Sequence, residues 1–213
     1  MAKCKVCNKD LYEKPLLTLK NMPASAQFLP DKSELISEKG IDLQIYQCSG
    51  CGLVQIPSEP VFYFREVIRA VGISEEMAKF RLQQFKDFVD TYKVKKILEA
   101  GAGFGEYLAL MDKVCKEAYG IEFSDKGVAN CKKLGLNVEK GFIENEDYKI
   151  SNGPFDSFFI MSFLEHIPNI SSFLTGLRNN LEEGAVGIIE VPNFDMILNK
   201  KLFSEFILDH LYY

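Results

Sequence analysis

Three glycines follow one acidic residue at even spacing within segment 97–107. Glu99 precedes Gly101, Gly103 and Gly105 in the pattern E-x-G-x-G-x-G. Glycines at such positions let the backbone pass close to a ligand, and a carboxylate accepts hydrogen bonds from hydroxyl or amine groups. An apolar run precedes the pattern, as a buried strand would. The segment therefore predicts a strand, a turn and a helix start that together bind a nucleotide-like cofactor.

Two cofactor classes are bound by glycine turns of this kind. The dinucleotide turn, G-x-G-x-x-G, has one more residue in its last interval. S-adenosylmethionine (SAM) has no pyrophosphate, and its ammonium and ribose hydroxyls suit a nearby carboxylate. The spacing favours SAM, and a dinucleotide stays the alternative.

Four of the six cysteines form two C-x-x-C pairs, Cys4 with Cys7 and Cys48 with Cys51. Two such knuckles are the usual ligand pattern of a tetrahedral zinc site, in which each tight turn presents two thiolates. Because four thiolates leave no open coordination position, we expect a structural zinc ion. The alternative is four unrelated thiols.

Composition excludes several classes of protein. The 213 residues are 47% hydrophobic and 26% charged, with a net charge of −5 and no basic stripe. Nucleic acid is therefore not an expected partner, because binding it requires clustered Lys and Arg. No apolar run is long enough for a membrane span and no signal peptide is evident, so we expect a cytoplasmic protein with reduced cysteines.

Strand and helix patterns alternate from residue 94 onward. This alternation predicts a Rossmann-like α/β fold, with a parallel sheet covered by helices on both faces. The predicted strands cover residues 95–100, 118–122, 136–142, 155–161 and 185–191, and the predicted helices cover 74–92, 124–134 and 170–181.

The patterns divide the chain into three parts. Residues 1–60 predict a zinc ribbon, 61–93 a helical connector, and 94–213 a SAM-binding domain. Strands are expected at 41–47 and 53–56, and 21–30 is expected to be a loop. The connector begins with an aromatic and then helical stretch, 61–72. Its main helix, 74–92, is expected to bury a single face, formed by Met77, Phe80, Phe85, Phe88 and Tyr92.

Ligands of parallel sheets lie at the carboxyl ends of the strands. Glu122 ends the second strand, where a carboxylate would meet the ribose hydroxyls. Phe142 follows the third strand and could flank the adenine, while Met161 and Phe163 would face the methionine part. The alternatives are a solvated acid at Glu122 and core packing at the two phenylalanines.

Three segments together resemble the signatures of class I SAM-dependent methyltransferases. They are the E-x-G-x-G-x-G turn, Gly120-Ile121-Glu122, and F-L-E-H-I-P at 163–168. With the N-terminal cysteine pairs and the tail at 190–213, the chain is similar to the sugar C-methyltransferase family, whose members carry a zinc-binding domain. The resemblance covers nearly the whole chain.

The resemblance implies roles for several residues. His210 is the candidate base, Asp209 stands where the family usually has Glu, and Ile207 stands where it usually has a catalytic tyrosine. Tyr63 is similar to a family tyrosine that reaches the substrate, and His166 is interpreted as positional. The departures at 207 and 209 suggest a subgroup whose substrate differs from the usual deoxysugars.

The leading hypothesis is methylation of a carbon in a keto-sugar nucleotide or related small molecule, in deoxysugar or surface-polysaccharide synthesis. O-methylation, a non-catalytic binding or scaffold module, and a dehydrogenase are the alternatives. Class I methyltransferases have two further strands, so strand five would be an apolar sheet edge and the sequence is expected to be a fragment. The alternatives are an edge that a partner covers and an unusually short fold. The sequence predicts neither the acceptor nor the oligomeric state.

Overall fold

The computed structural model describes residues 2–27, 29–67 and 72–213. Phe28 of the predicted loop and residues 68–71 of the predicted helical stretch lie outside them. The described residues form eight strands: β1 (Leu17–Met22), β2 (Ile41–Gln47), β3 (Val54–Gln55), β4 (Lys96–Ala100), β5 (Glu117–Glu122), β6 (Asn137–Lys140), β7 (Phe155–Met161) and β8 (Leu181–Glu190). They also form five α-helices: α1 (Glu75–Tyr92), α2 (Leu108–Met111), α3 (Asp125–Lys133), α4 (Ile170–Arg178) and α5 (Phe194–Lys200).

The chain folds into two compact units. The first unit comprises Met1–Val67, Leu164–Ile170 and Val191–Tyr213, and the second comprises Ile68–Phe163 and Ser171–Glu190. The polypeptide therefore enters the first unit three times.

The first unit is built on an antiparallel sheet with the order β1-β2-β3. Its core joins residues of β2 and β3 to Ile197 of α5 and to Phe206. The predicted strand at 41–47 is confirmed, whereas the strand at 53–56 is shorter and β1 was not predicted. β1 alternates apolar and polar residues from Leu17 to Lys20 and pairs with β2 alone in the described sheet. It extends to Met22, so the first two residues of the predicted loop 21–30 belong to a strand.

The second unit contains the predicted parallel sheet, with the order β6-β5-β4-β7-β8. From β4 the chain proceeds first to β5 and β6 on one side, and then to β7 and β8 on the other. The order therefore reverses beside β4, and the carboxyl end of β4 is the switch point where such sheets bind ligands. β8 begins at Leu181, four residues earlier than predicted, because Leu181 already pairs with Phe155. Among the described strands β8 pairs with β7 alone, and Ile189 on it is exposed.

Helix α1 has the predicted start but a different buried face. The Ser74 hydroxyl accepts a hydrogen bond from the Met77 amide, as an N-cap should. Phe85 is fully buried, whereas Met77 is 40%, Phe80 58% and Tyr92 56% exposed, so the expectation that these three belong to the buried face is wrong. The inward face instead includes Arg81, a charged residue that a hydrophobic pattern does not select.

Among residues 2–27, 29–67 and 72–213, no helix combines the length and the apolar character needed to cross a bilayer.

Candidate functional site

The three glycines after β4 all have the left-handed backbone conformation. Their φ angles are +79° at Gly101, +57° at Gly103 and +91° at Gly105. A Cβ atom added at Gly101 would lie 2.6 Å from the ring of Phe163, and one at Gly105 would lie 2.8 Å from the side chain of Leu136. The turn therefore requires glycine for backbone conformation and, at these two positions, also for space.

Replacing Gly101 with Ala should destabilise the second unit by about 2–4 kcal/mol, because the left-handed conformation and the clash with Phe163 add together. Gly184 provides a matched control, since its φ is +80° and no heavy atom lies within 4 Å of its added Cβ. Gly184→Ala should cost only about 1–2 kcal/mol. Chemical denaturation measures both losses, and equal losses would contradict the steric argument.

The Glu122 carboxylate holds the glycine turn in place. One of its oxygens accepts a hydrogen bond from the Gly103 amide at 2.8 Å, and the other accepts one from the Ser124 amide at 2.7 Å. Helix α3 approaches so closely that a Cβ added at Gly127 would lie 2.5 Å from the Gly103 carbonyl oxygen. Each carboxylate oxygen has a second lone pair, so Glu122 could also accept from ribose hydroxyls.

The other predicted cofactor residues lie buried around the same strand ends. Glu99 is fully buried in β4, and Met161 is fully buried in the core of the second unit. The rings of Phe142 and Phe163 pack at 6.2 Å between centroids, and both contact Phe173. The phenylalanines thus pack with one another beside the turn, as the core alternative expects, and their contact with adenine stays a prediction.

The four knuckle cysteines lie together in the first unit. Their Sγ atoms lie within 4.8 Å of one another, with 3.8 Å between Cys4 and Cys51 and 3.4 Å between Cys7 and Cys48. Tetrahedral zinc with Zn–S bonds of about 2.3 Å places its sulfurs roughly 3.8 Å apart, so the set fits the ion. The backbone amides of Gly50 and Cys51 also donate hydrogen bonds to the Sγ atom of Cys48. The four thiols are therefore arranged as a closed structural zinc site.

Tyr63 and Asp209 are directly bonded within the first unit. The Tyr63 hydroxyl donates to the Asp209 carboxylate at 2.7 Å and accepts from the Ala26 amide at 3.2 Å. Gln27 also donates to Asp209, whose exposure is only 2%. Burial raises the pKa of Tyr63. The predicted loop therefore folds over Tyr63. Sequence reasoning missed Gln27, because nothing in its local pattern indicates a partner 182 residues away.

The two histidines form a pair in the same unit. Their ring centroids are 5.0 Å apart. Nδ1 of His166 lies 2.9 Å from the Asp209 carbonyl oxygen, and Nδ1 of His210 lies 3.1 Å from that of Glu205. Because a carbonyl oxygen can only accept, each neutral ring carries its proton on Nδ1 and has a basic Nε2.

The environment keeps His210 neutral. Burial, reinforced by the neighbouring His166, lowers the pKa of His210 to about 4. The carboxylate of Glu165 lies within 4.8 Å of ring nitrogens of both histidines. Glu165 was not predicted as a site residue, although it immediately precedes His166 in the F-L-E-H-I-P segment. His210 is therefore unprotonated at neutral pH, as a general base must be before it acts.

The lowered pKa of His210 predicts acid sensitivity of the fold. Between pH 6.5 and 4 the unfolded chain protonates this histidine while the folded chain does not, so stability should fall as the pH drops through this window. The loss attributable to His210 should be about 2–3 kcal/mol at pH 4. Denaturation of the wild type and of His210→Asn at pH 7 and pH 4 isolates this contribution. A stability difference between the two proteins that does not change with pH would contradict it.

Comparisons with known proteins agree with this architecture. A family model described as "Methyltransferase domain" matches residues 69–207, and one described as "Putative zinc binding domain" matches residues 4–60. None of the curated proteins matches the chain significantly.

Comparison with solved structures finds matches at low sequence identity. The plantazolicin methyltransferase BpumL, solved with a monoazolic desmethylPZN analogue and S-adenosylhomocysteine (SAH), is 22% identical with a TM-score of 0.51. The match covers 61% of this chain and 52% of BpumL. Streptomyces venezuelae DesVI is 18% identical with a TM-score of 0.49, over 56% of this chain and 53% of DesVI. This chain thus spans about half the length of these proteins. Because the methyltransferase-domain model matches well over half of its residues, the chain belongs to that family of methyltransferases.

Proposed function

We propose that this protein is a SAM-dependent methyltransferase acting on a small molecule. The observation that carries the proposal is the turn after β4, where three left-handed glycines and the Glu122 carboxylate meet at the switch point of the sheet. Membership of the methyltransferase-domain family supports it, as does the shared fold with BpumL, which was solved with SAH. The second unit would bind the cofactor, with Glu99 beside the glycine turn and Glu122 toward the ribose hydroxyls. A structural zinc ion would hold the first unit together.

Methylation of a carbon beside a ketone requires a base. His210 would remove the α-proton through Nε2, the resulting enolate would attack the sulfonium methyl group, and SAH would leave. A neutral imidazole is already in the accepting form at pH 7, although a pKa of about 4 makes His210 a weaker base than an ordinary histidine. We propose that Tyr63 and Asp209 position this tail, because the Tyr63 hydroxyl donates a hydrogen bond to the Asp209 carboxylate.

We propose a keto-sugar nucleotide as the leading acceptor, on the resemblance of the tail to sugar C-methyltransferases. We place the reaction in the cytoplasm, without nucleic acid. A second candidate, transfer to oxygen or nitrogen of a more apolar acceptor, is favoured by a groove of about 400 Å³ in the first unit. The groove is lined by apolar residues, the rings of Tyr212 and Tyr213, and Glu165. A groove of this size and lining suits an apolar small molecule.

Calorimetry of the zinc-loaded protein with SAH tests the proposal first. We expect binding of SAH and SAM and none of NAD; binding of NAD in their place would support the dehydrogenase alternative. Transfer of a labelled methyl group to a panel of keto-sugar nucleotides and apolar acceptors then separates the two candidate functions. Absence of SAH binding would refute the proposed function, and SAH binding without transfer to any acceptor would support a binding module.

A further inference from the structure

Arg81 is a buried cation on the inward face of α1. Only 6% of the residue is exposed. One terminal nitrogen donates to Gln84 at 2.7 Å, and the other pairs with the Glu190 carboxylate. Among the described residues, no hydrogen-bond acceptor reaches the buried Nε. Replacing a buried ion pair with apolar residues is often neutral or stabilising, so fold stability alone does not explain a charge here.

The Arg81–Glu190 pair lies at the carboxyl end of the parallel sheet. Glu190 ends β8 and is aligned with Met161, the last residue of β7. The guanidinium lies 5.7 Å from the ring centroid of Tyr107, which immediately precedes α2 and follows the glycine turn by two residues. The pair thus borders the predicted cofactor site on the side of β7 and β8, whereas Glu122 borders it on the side of β5.

Ser162 provides a second observation at the same place. It follows β7 with a φ of +48°, a conformation that is uncommon for residues other than glycine. Its amide donates to the Glu190 carbonyl oxygen at 3.0 Å, which fixes the backbone beneath the ion pair. Strained residues of this kind cluster at ligand sites.

We propose that Arg81 and Glu190 bind the zwitterionic amino-acid end of the cofactor. The Arg81 guanidinium would take the α-carboxylate, and the Glu190 carboxylate would take the α-ammonium. Opposite charges on the protein match opposite charges on the ligand, so binding adds no net charge to the site. Glu190 is the more exposed partner, with 35% of its side chain accessible, so a ligand ammonium can reach its carboxylate. The inference rests on the proposed SAM-binding function and adds the recognition of one end of the ligand.

Three ligands separate these contacts: SAH, decarboxylated SAH, which keeps the ammonium, and methylthioadenosine, which lacks the amino acid. In calorimetry, Arg81→Gln should weaken SAH binding about 10- to 100-fold, as expected for a lost charge-assisted hydrogen bond. Its affinities for the other two ligands should stay within about threefold of the wild type. Glu190→Gln should weaken SAH and decarboxylated SAH alike but not methylthioadenosine. Lys86→Gln, an exposed charge change on the same helix, should change none of the three.

The outcomes distinguish the inference from the proposed function. If wild type does not bind SAH, the proposed function fails and the inference fails with it. If wild type binds SAH but Arg81→Gln weakens all three ligands equally, or none of them, Arg81 is only structural and the inference alone is overturned. Arg81→Lys keeps the charge and supplies a folded variant should Arg81→Gln not fold. A selective loss of SAH affinity in the lysine variant would support the same contact.

Discussion

Replacing His210 with Asn should lower methyl transfer by a factor of about 100 to 10,000, as expected for loss of a general base. SAH affinity should stay within about twofold, because His210 is proposed to act on the acceptor and not to bind the cofactor. The asparagine amide can still donate to the Glu205 carbonyl oxygen but offers no basic nitrogen. The rate is measured with the best acceptor from the labelled-methyl panel.

Proton exchange gives a readout specific to the base. With a keto acceptor and SAH in heavy water, wild type should exchange the α-hydrogen for deuterium, and His210→Asn should not. Tyr12→Phe is the control, since Tyr12 is an exposed residue of the same unit and the change removes only the hydroxyl. Transfer and exchange that persist in His210→Asn would exclude this histidine as the base.

Loss of the zinc ion should have the largest effect on stability. Structural zinc contributes about 10–16 kcal/mol of apparent binding free energy in small domains, and this contribution is lost when the metal leaves and the ligand thiols take up protons. We expect one zinc ion per chain in the wild type and none in Cys48→Ser. The first unit should then lose its folded structure, and methyl transfer should be lost while SAH binding is retained.

Metal content by mass spectrometry, together with thermal unfolding, tests this prediction. Cys115→Ala is the control, because Cys115 is equally buried but belongs to the core of the second unit. A full complement of zinc in Cys48→Ser, or loss of zinc in Cys115→Ala, would show that the assigned ligands are wrong.

Short-range patterns predicted the parts of the site that a few adjacent residues determine. The glycine turn follows from backbone conformation at Gly101, Gly103 and Gly105, and the knuckles follow from the two-residue spacing of their cysteines. Parallel pairing was also predictable, since strands and helices alternate along the chain from β4 onward.

Contacts between distant segments were not predictable from the same patterns. Tyr63 meets Asp209 across 146 residues, and neither local sequence indicates the other. On α1 the apolar residue Phe80 is exposed while the charged residue Arg81 is buried. A hydrophobic pattern predicts a buried Phe80 and an exposed Arg81. It does not take account of the Glu190 carboxylate, which pairs with the buried arginine.

The first unit is formed by three separate segments of the chain, and this has a consequence for its biosynthesis. Both cysteine pairs lie between residues 4 and 51, ahead of the parallel sheet, and can bind zinc before the rest of the chain is made. Their sheet, however, completes its apolar core only with Ile197 and Phe206. While the roughly 140 intervening residues are translated, the apolar face of this sheet lacks the residues that bury it in the folded protein. We therefore expect nascent chains halted before residue 190 to be held by chaperones or degraded, even when they already carry zinc.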